Sequence, residues 1–223
     1  VHRRIAQAAR GLGRLAEARH HFLEEYRQDP RNTDVLFELA DAAAAAGDHE
    51  TSVEKLKHIL EIEPDHADAR FALGKLWMNH GRPEKAIECF EAIRATDRNR
   101  PPMPELTMRQ GLALFQLGRY PQALRCFEEV ALQETNRFDV QLRVGDCLLA
   151  LQNLPKAEAC YRRALAVRAR CPIAHYSLGV CLLKMGQHLA GLRHCRRSLR
   201  LMPDSVQVMR TVVLANLRLG RWT

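Results

Sequence analysis

Apolar positions recur in one figure along the chain: a small residue, three variable residues, then an aromatic. It stands at Ala18–Phe22, Ala86–Phe90, Ala123–Phe127 and Ala157–Tyr161. Residues four apart share one face of a helix, so each figure marks a helix with a buried stripe. A second figure ends in glycine and keeps the same beat: Leu73-Gly74, Gln110-Gly111, Val144-Gly145 and Leu178-Gly179. From Gly13 to Gly47, Gly47 to Gly81 and Gly145 to Gly179 the step is 34 residues. A fixed period of this length predicts an all-α solenoid of stacked antiparallel helix pairs rather than a single globular core.

The phase divides the chain into units 1–32, 33–66, 67–100, 104–137, 138–171 and 172–205, with a half-unit over 206–223. In unit 33–66, Thr33 is the expected N-cap, and a helix runs to about Ala46. Gly47-Asp48 then turns the chain, and a second helix runs to about Glu61 before Pro64. Pro30 and Pro203 close two other units in the same way. Where Gly47, Gly81, Gly118 and Gly186 make the turn, residues 138–171 carry Gln152, with Asn153 beside it as the expected substitute. The step from Gly81 to Gly118 is 37, so three residues are inserted over 97–104, where Pro101 and Pro102 stop a helix. This is the candidate bend in an otherwise single repeat domain.

These residues resemble the tetratricopeptide repeat, whose pattern runs W-x2-L-G-x2-Y, then G, A-x3-F and P. The best unit reads Leu73-Gly74-Lys75-Leu76-Trp77, then Gly81, Ala86 and Phe90, and the resemblance covers essentially all 223 residues. It implies a right-handed superhelical solenoid of six units and a half, with a concave groove that takes partner peptides. The family's groove positions fall here on Phe37, Phe71, Lys75, Met78, Met108, Arg109, Phe115, Arg143, Asp146, Tyr176, Lys184 and Arg210. Aromatics and Met supply adaptable apolar contact, and Arg, Lys and Asp supply orientation. The family's chaperone-tail clamp is not matched, because Arg3 and Gln7, then Glu38, stand where Lys, Asn and Asn are needed. Its asparagine ladder fails too, with Glu38, Ala72, Arg109, Arg143 and Ser177 at the ladder position.

Composition sharpens this. No run of 18 apolar residues exists, so no membrane span is expected. The chain begins at Val1 partway into a repeat, and so reads as a segment of a longer protein. Five of its seven Cys residues follow the repeat phase, Cys89, Cys126 and Cys160 at one position and Cys147 and Cys181 at another, while Cys171 and Cys195 fall outside it, and no CxxC pair occurs. They are expected to be free, buried thiols without metal, in a reducing compartment such as the cytoplasm. The net charge of +8 is uneven: residues 138–223 hold 14 Lys/Arg against 4 Asp/Glu. Arg162-Arg163 and Arg196-Arg197 repeat at matching positions and predict a basic patch on the convex face. With little aromatic interleaving, that patch does not favour nucleic acid.

Residues 206–219 leave little polar face, and Val208, Val212 and Leu219 are expected to form an exposed stripe for end-to-end self-association. The glycines of Gly11-Leu12-Gly13 mimic a dinucleotide fingerprint by letter alone, with no strand before them. No Walker, HExxH or GxSxG motif occurs, so no cofactor and no catalysis are expected within these residues. The sequence thus reads as a protein-interaction scaffold that binds a peptide or helix. The alternative is an accessory repeat segment of a larger enzyme, such as a glycosyl- or sulfotransferase.

Overall fold

The computed structural model describes residues 14–96, 103–134 and 137–220, and the chain divides into two compact units between Pro102 and Met103. The first carries α1 (Leu15–Gln28), α2 (Thr33–Ala45), α3 (His49–Ile62), α4 (Ala67–Asn79) and α5 (Pro83–Thr96). The second carries α6 (Pro104–Gln116), α7 (Tyr120–Gln133), α8 (Phe138–Ala150), α9 (Leu154–Val167), α10 (Pro172–Lys184), α11 (His188–Leu201) and α12 (Val206–Arg218). No strand occurs among the described residues, so the chain is all-α as the period predicts. From α2 onward the helices alternate between 13 and 14 residues. Within each unit every helix packs on the next, and the first helices of successive pairs also touch, α8 with α10 and α10 with α12. The expected bend over 97–104 lies largely outside the described residues.

Each pair closes through the predicted contact. Phe90, Phe127 and Tyr161 are fully buried on second helices. The Phe127 and Tyr161 rings stand where a Cβ on Gly111 or Gly145 of the first helix would lie, 2.6 Å from a ring carbon in each case. Glycine at those positions is therefore a requirement of space. The turns are Schellman closures: the Gly47 N–H donates to the Ala44 carbonyl and the Asp48 N–H to the Ala43 carbonyl.

Two local expectations are corrected. Asn32, not Thr33, caps α2, its side chain accepting from the Val35 N–H at 3.2 Å. Thr33 is the first helical residue, and its hydroxyl donates to Glu63 at 2.7 Å. In the turn after α8, Gln152 itself takes the left-handed conformation with φ of 60°. Asn153 instead completes the closure by donating its N–H to the Leu148 carbonyl at 2.8 Å. The left-handed position is fixed by the residue count from the helix end, so it falls on whichever residue stands there.

Candidate functional site

In the first unit, facing stripes of α2 and α4 enclose a small pit floored by α3. Phe37, Ala40, Asp41 and Ala44 form one wall; Ala72, Lys75, Leu76 and Asn79 form the other; Ser52 and Leu56 close the bottom, around a volume of about 130 Å³. The pit exists because Ala40, Ala44 and Ala72 leave space between the larger wall residues where the two first helices come side by side. Such a volume suits one side chain, and Asp41, Lys75 and Asn79 bring a carboxylate, an ammonium and an amide to its margin. Phe37 is stacked on His66 with centroids 6.0 Å apart, which fixes its ring as a rigid wall. Phe71 leans on the buried Phe90, and the Lys75 ammonium lies 5.7 Å from the Phe71 ring centroid. Met78 is half-buried on the same helix. The structure therefore brings Phe37 and Lys75 together, and adds Asp41, Ala72 and Asn79 to them.

The second unit treats its expected groove residues differently. Met108 is buried with 5% exposure and belongs to the core of α6, a correction to its place in the groove. Arg109 donates through Nε to Glu105 at 2.8 Å. Glu105 also lies 3.6 Å from Arg137, which bonds Glu134 and Asp139 as well. That acidic setting holds the Arg137 guanidinium above its ordinary range, chiefly through Asp139. Phe115 meets Tyr120 edge-on at 5.2 Å, and the Tyr176 hydroxyl pairs with Thr211 at 3.3 Å. Lys184 and Arg210 remain exposed.

Asp146 turns inward. Its carboxylate accepts from the Tyr161 hydroxyl at 3.0 Å, from Ser177 at 3.5 Å and from Arg143 at 3.2 Å. Burial pushes its pKa up, opposed by Arg143 and by the two hydroxyls. The Tyr161 phenol is held protonated by burial and by that carboxylate. The signal in the sequence is Tyr161 itself: Phe22, Phe90 and Phe127 occupy the same place without needing a partner for a hydroxyl. Asp146 is thus tied into the repeat by Tyr161, Ser177 and Arg143, with Arg143 itself partly exposed.

A second polar pair, part-buried, joins α10 and α11. His175 of α10 is 4% exposed, and its Nδ1 lies 3.1 Å from Nδ1 of His194 on α11. All seven cysteines are free: six are buried and Cys89 is half-buried. Burial pushes Cys147 up to about 12 and Cys195 up to about 11, so both are inert thiols at neutral pH. Arg162 and Arg163 on α9 and Arg196 and Arg197 on α11 are all exposed. Arg162 is paired with Glu158 at 2.7 Å, and Arg196 donates to Asn216 at 3.2 Å.

The last helix is shifted in phase from expectation. Val208 is 1% exposed, and Val212 and Leu219 are half-buried. The exposed large apolar residues of this helix are Val206, Met209, Val213, Leu214 and Leu217. The buried stripe of α12 follows Val208 and Ala215, seven apart, so the exposed one starts elsewhere on the helix. No helix among the described residues is long and apolar enough to cross a membrane.

Comparison with known proteins agrees with this architecture. Human DnaJ homolog subfamily C member 3 is 21% identical over 217 residues, covering 91% of this chain but 43% of that protein. The chain thus spans less than half the length of that curated relative. Among solved structures, pilF of Pseudomonas aeruginosa superposes with a TM-score of 0.77 at 16% identity, covering 94% of each chain. YrrB, described as a TPR protein with an unusual peptide-binding site, has a TM-score of 0.72 at 16% identity, covering 85% of this chain and 96% of its own. Tetratricopeptide repeat models match residues 3–62, 43–103, 108–166 and 148–206. With its helix pairs, its aromatic-on-glycine contacts and these matches over most of its length, the chain belongs to the tetratricopeptide repeat family.

Proposed function

We propose that this chain is a non-catalytic interaction scaffold that holds a partner peptide along the α2–α4 face of its first unit. The observation that carries the reading is the pit between Phe37 and Lys75, with Ser52 and Leu56 at its floor and three polar groups at its margin. An apolar side chain of the partner enters the pit. Asn79 and Lys75 meet peptide carbonyls, and Asp41 meets a peptide N–H or a basic side chain. YrrB, which shares the fold, is described as having a peptide-binding site. The free thiols suit a reducing compartment such as the cytoplasm. Peptides selected on the wild-type protein from a random library test the reading. Replacing Asp41 by Lys and Lys75 by Glu together inverts the charge at the margin and is expected to weaken them roughly tenfold or more. Equal binding by that variant, with helical circular dichroism unchanged, rules the site out.

A second contact is proposed at α12, where Val206 is 65% exposed and Val213 and Leu214 are each 56% exposed. The occupant is a second copy of the chain. Sedimentation equilibrium of the wild type and of Val213→Lys with Leu214→Lys decides it: the wild type associates and the variant does not. A wild-type monomer at high concentration eliminates this contact.

A further inference from the structure

Helix α11 carries Arg193, Arg196, Arg197 and Arg200 among its 14 residues and no acid at all. The buried side of the helix is Gly191, Leu192, Cys195 and Ser198, so the arginines share the opposite side, at i, i+3, i+4 and i+7. Neighbouring α9 contributes Arg162 and Arg163, and its one acid, Glu158, is already held by Arg162. Among the described residues, Arg193, Arg197 and Arg200 form no ion pair. They border an open groove of about 760 Å³ whose other described lining includes Leu199, Pro203 and His194. Like charges packed along two turns of helix, with no ion pair to Arg193, Arg197 or Arg200 among the described residues, form a field that an anion relieves.

We propose that this groove docks an acidic polypeptide segment, and that docking takes up a proton at His194. Guanidinium groups match carboxylates in a bidentate geometry, and the four along α11 span roughly 10 Å. Arg193 and Arg197, four residues apart and so about 6 Å along the axis, meet glutamates at i and i+4 of a helix or at i and i+2 of a strand. Leu199 and Pro203 give the segment an apolar foothold. No Phe, Tyr or Trp among the described lining offers a base a stacking surface.

The proton follows from the hydrogen bonds beneath the groove. His175 Nε2 lies 3.0 Å from the Ala169 carbonyl oxygen, which only accepts, so Nε2 carries the hydrogen. The unprotonated Nδ1 of His175 must then accept from Nδ1–H of His194. His194 is left with Nε2 as its free base. A proton added there keeps the bond to His175 intact. In the unbound protein that proton is opposed by partial burial, then by His175 of α10, Arg162 of α9, and Arg197 and Arg193 of α11. Carboxylates seated among those arginines remove much of that opposition, so binding and protonation strengthen each other.

The test is fluorescence anisotropy of a labelled glutamate decamer on the 223-residue chain at low salt, near pH 7.5 and near pH 6.0. Binding at both, several-fold tighter at the lower pH, is expected. Arg193→Glu with Arg197→Glu should weaken it roughly tenfold or more at unchanged circular dichroism. Arg200→Ala is a milder variant of the same kind, expected to weaken it a few-fold. His194→Asn, whose amide N–H can still donate to His175, should retain binding and lose the pH response. A decamer that fails to bind, or that binds the charge-reversed protein equally, overturns the docking surface. A pH response that survives in His194→Asn overturns the proton uptake. An oligouridylate decamer or phosphatidylserine vesicles bound more tightly than the peptide reassign the groove to nucleic acid or membrane. The glutamate decamer does not draw on the α2–α4 pit, so failure here leaves that reading untouched.

Discussion

The pairs α8–α9 and α10–α11 occupy equivalent positions in adjacent repeats and are closed in opposite ways. Between α8 and α9, Gly145 makes room for the Tyr161 ring, and the contact is side chain on backbone. Between α10 and α11 the aromatic is replaced by Cys195 and the small residue by Gly191, and the backbones themselves meet. A Cβ on Gly179 would lie 3.0 Å from the Gly191 carbonyl oxygen, and one on Gly191 would lie 2.8 Å from that of Gly179. Each pair also buries one polar contact. Tyr161 bonds to Asp146 in the first, and His175 bonds to His194 in the second. The repeat therefore fixes a spacing between helices rather than a residue, and a wide aromatic filling or a close glycine contact both satisfy it.

The largest expected effect separates the two closures. Gly179→Leu meets carbonyl and amide atoms that cannot rotate away, and should cost about 3 kcal/mol or more. Gly145→Leu meets a ring that can shift, and should cost about 1–3 kcal/mol. Urea unfolding of both variants measures the difference, and equal losses would erase the distinction. Next, Tyr161→Phe removes one donor from a buried carboxylate and should cost about 1–2 kcal/mol, whereas Phe127→Tyr buries a hydroxyl with no matching acid and should cost a similar amount.

Acid also acts in opposite directions on the two polar contacts. Burial lowers the pKa of His175 and of His194, so their neutral forms favour folding. The stability they give is present above the ordinary histidine pKa of 6.5 and lost as pH falls below it. Asp146 is shifted up, so its contribution is fully present below the ordinary value of 3.8 and lost as pH rises through the raised one. Between about pH 7.5 and 5.5, hydrogen exchange corrected for intrinsic rate should therefore accelerate in α10 and α11 more than in α8 and α9. The smallest effect lies in the turns. Gln152→Gly relieves a left-handed non-glycine residue and should stabilise by about 0.5–1 kcal/mol, while Gly186→Gln should cost about the same. Thermal melts of the two variants check the pair.

Much of the scaffold was legible because its determinants are local and periodic. Helix pairs, turn positions and the aromatic-on-glycine contacts follow from residue types at fixed offsets. What escaped depends on phase within one helix face or on partners distant in sequence. Met108 and Val208 are apolar residues one helical step from the positions expected, and only packing decides which side of the stripe is covered. Asp146 looks like a groove contact until the hydroxyl of Tyr161, 15 residues on, claims it. His175 and His194 are 19 residues apart and meet only because α10 and α11 are antiparallel. The pit of the first unit is partly legible, since Phe37 and Lys75 are among the expected groove residues. Its small walls at Ala44 and Ala72 carry no signal beyond their lack of bulk.

That lack of bulk offers the most direct measurement. Ala72→Phe would fill the pit between α2 and α4 with a ring while leaving the exposed charges of Asp41 and Lys75 in place. Peptides selected on the wild-type protein should bind this variant roughly tenfold or more weakly, at matched circular dichroism and melting temperature. Undiminished binding to the filled pit would contradict the assignment of the partner site to this face.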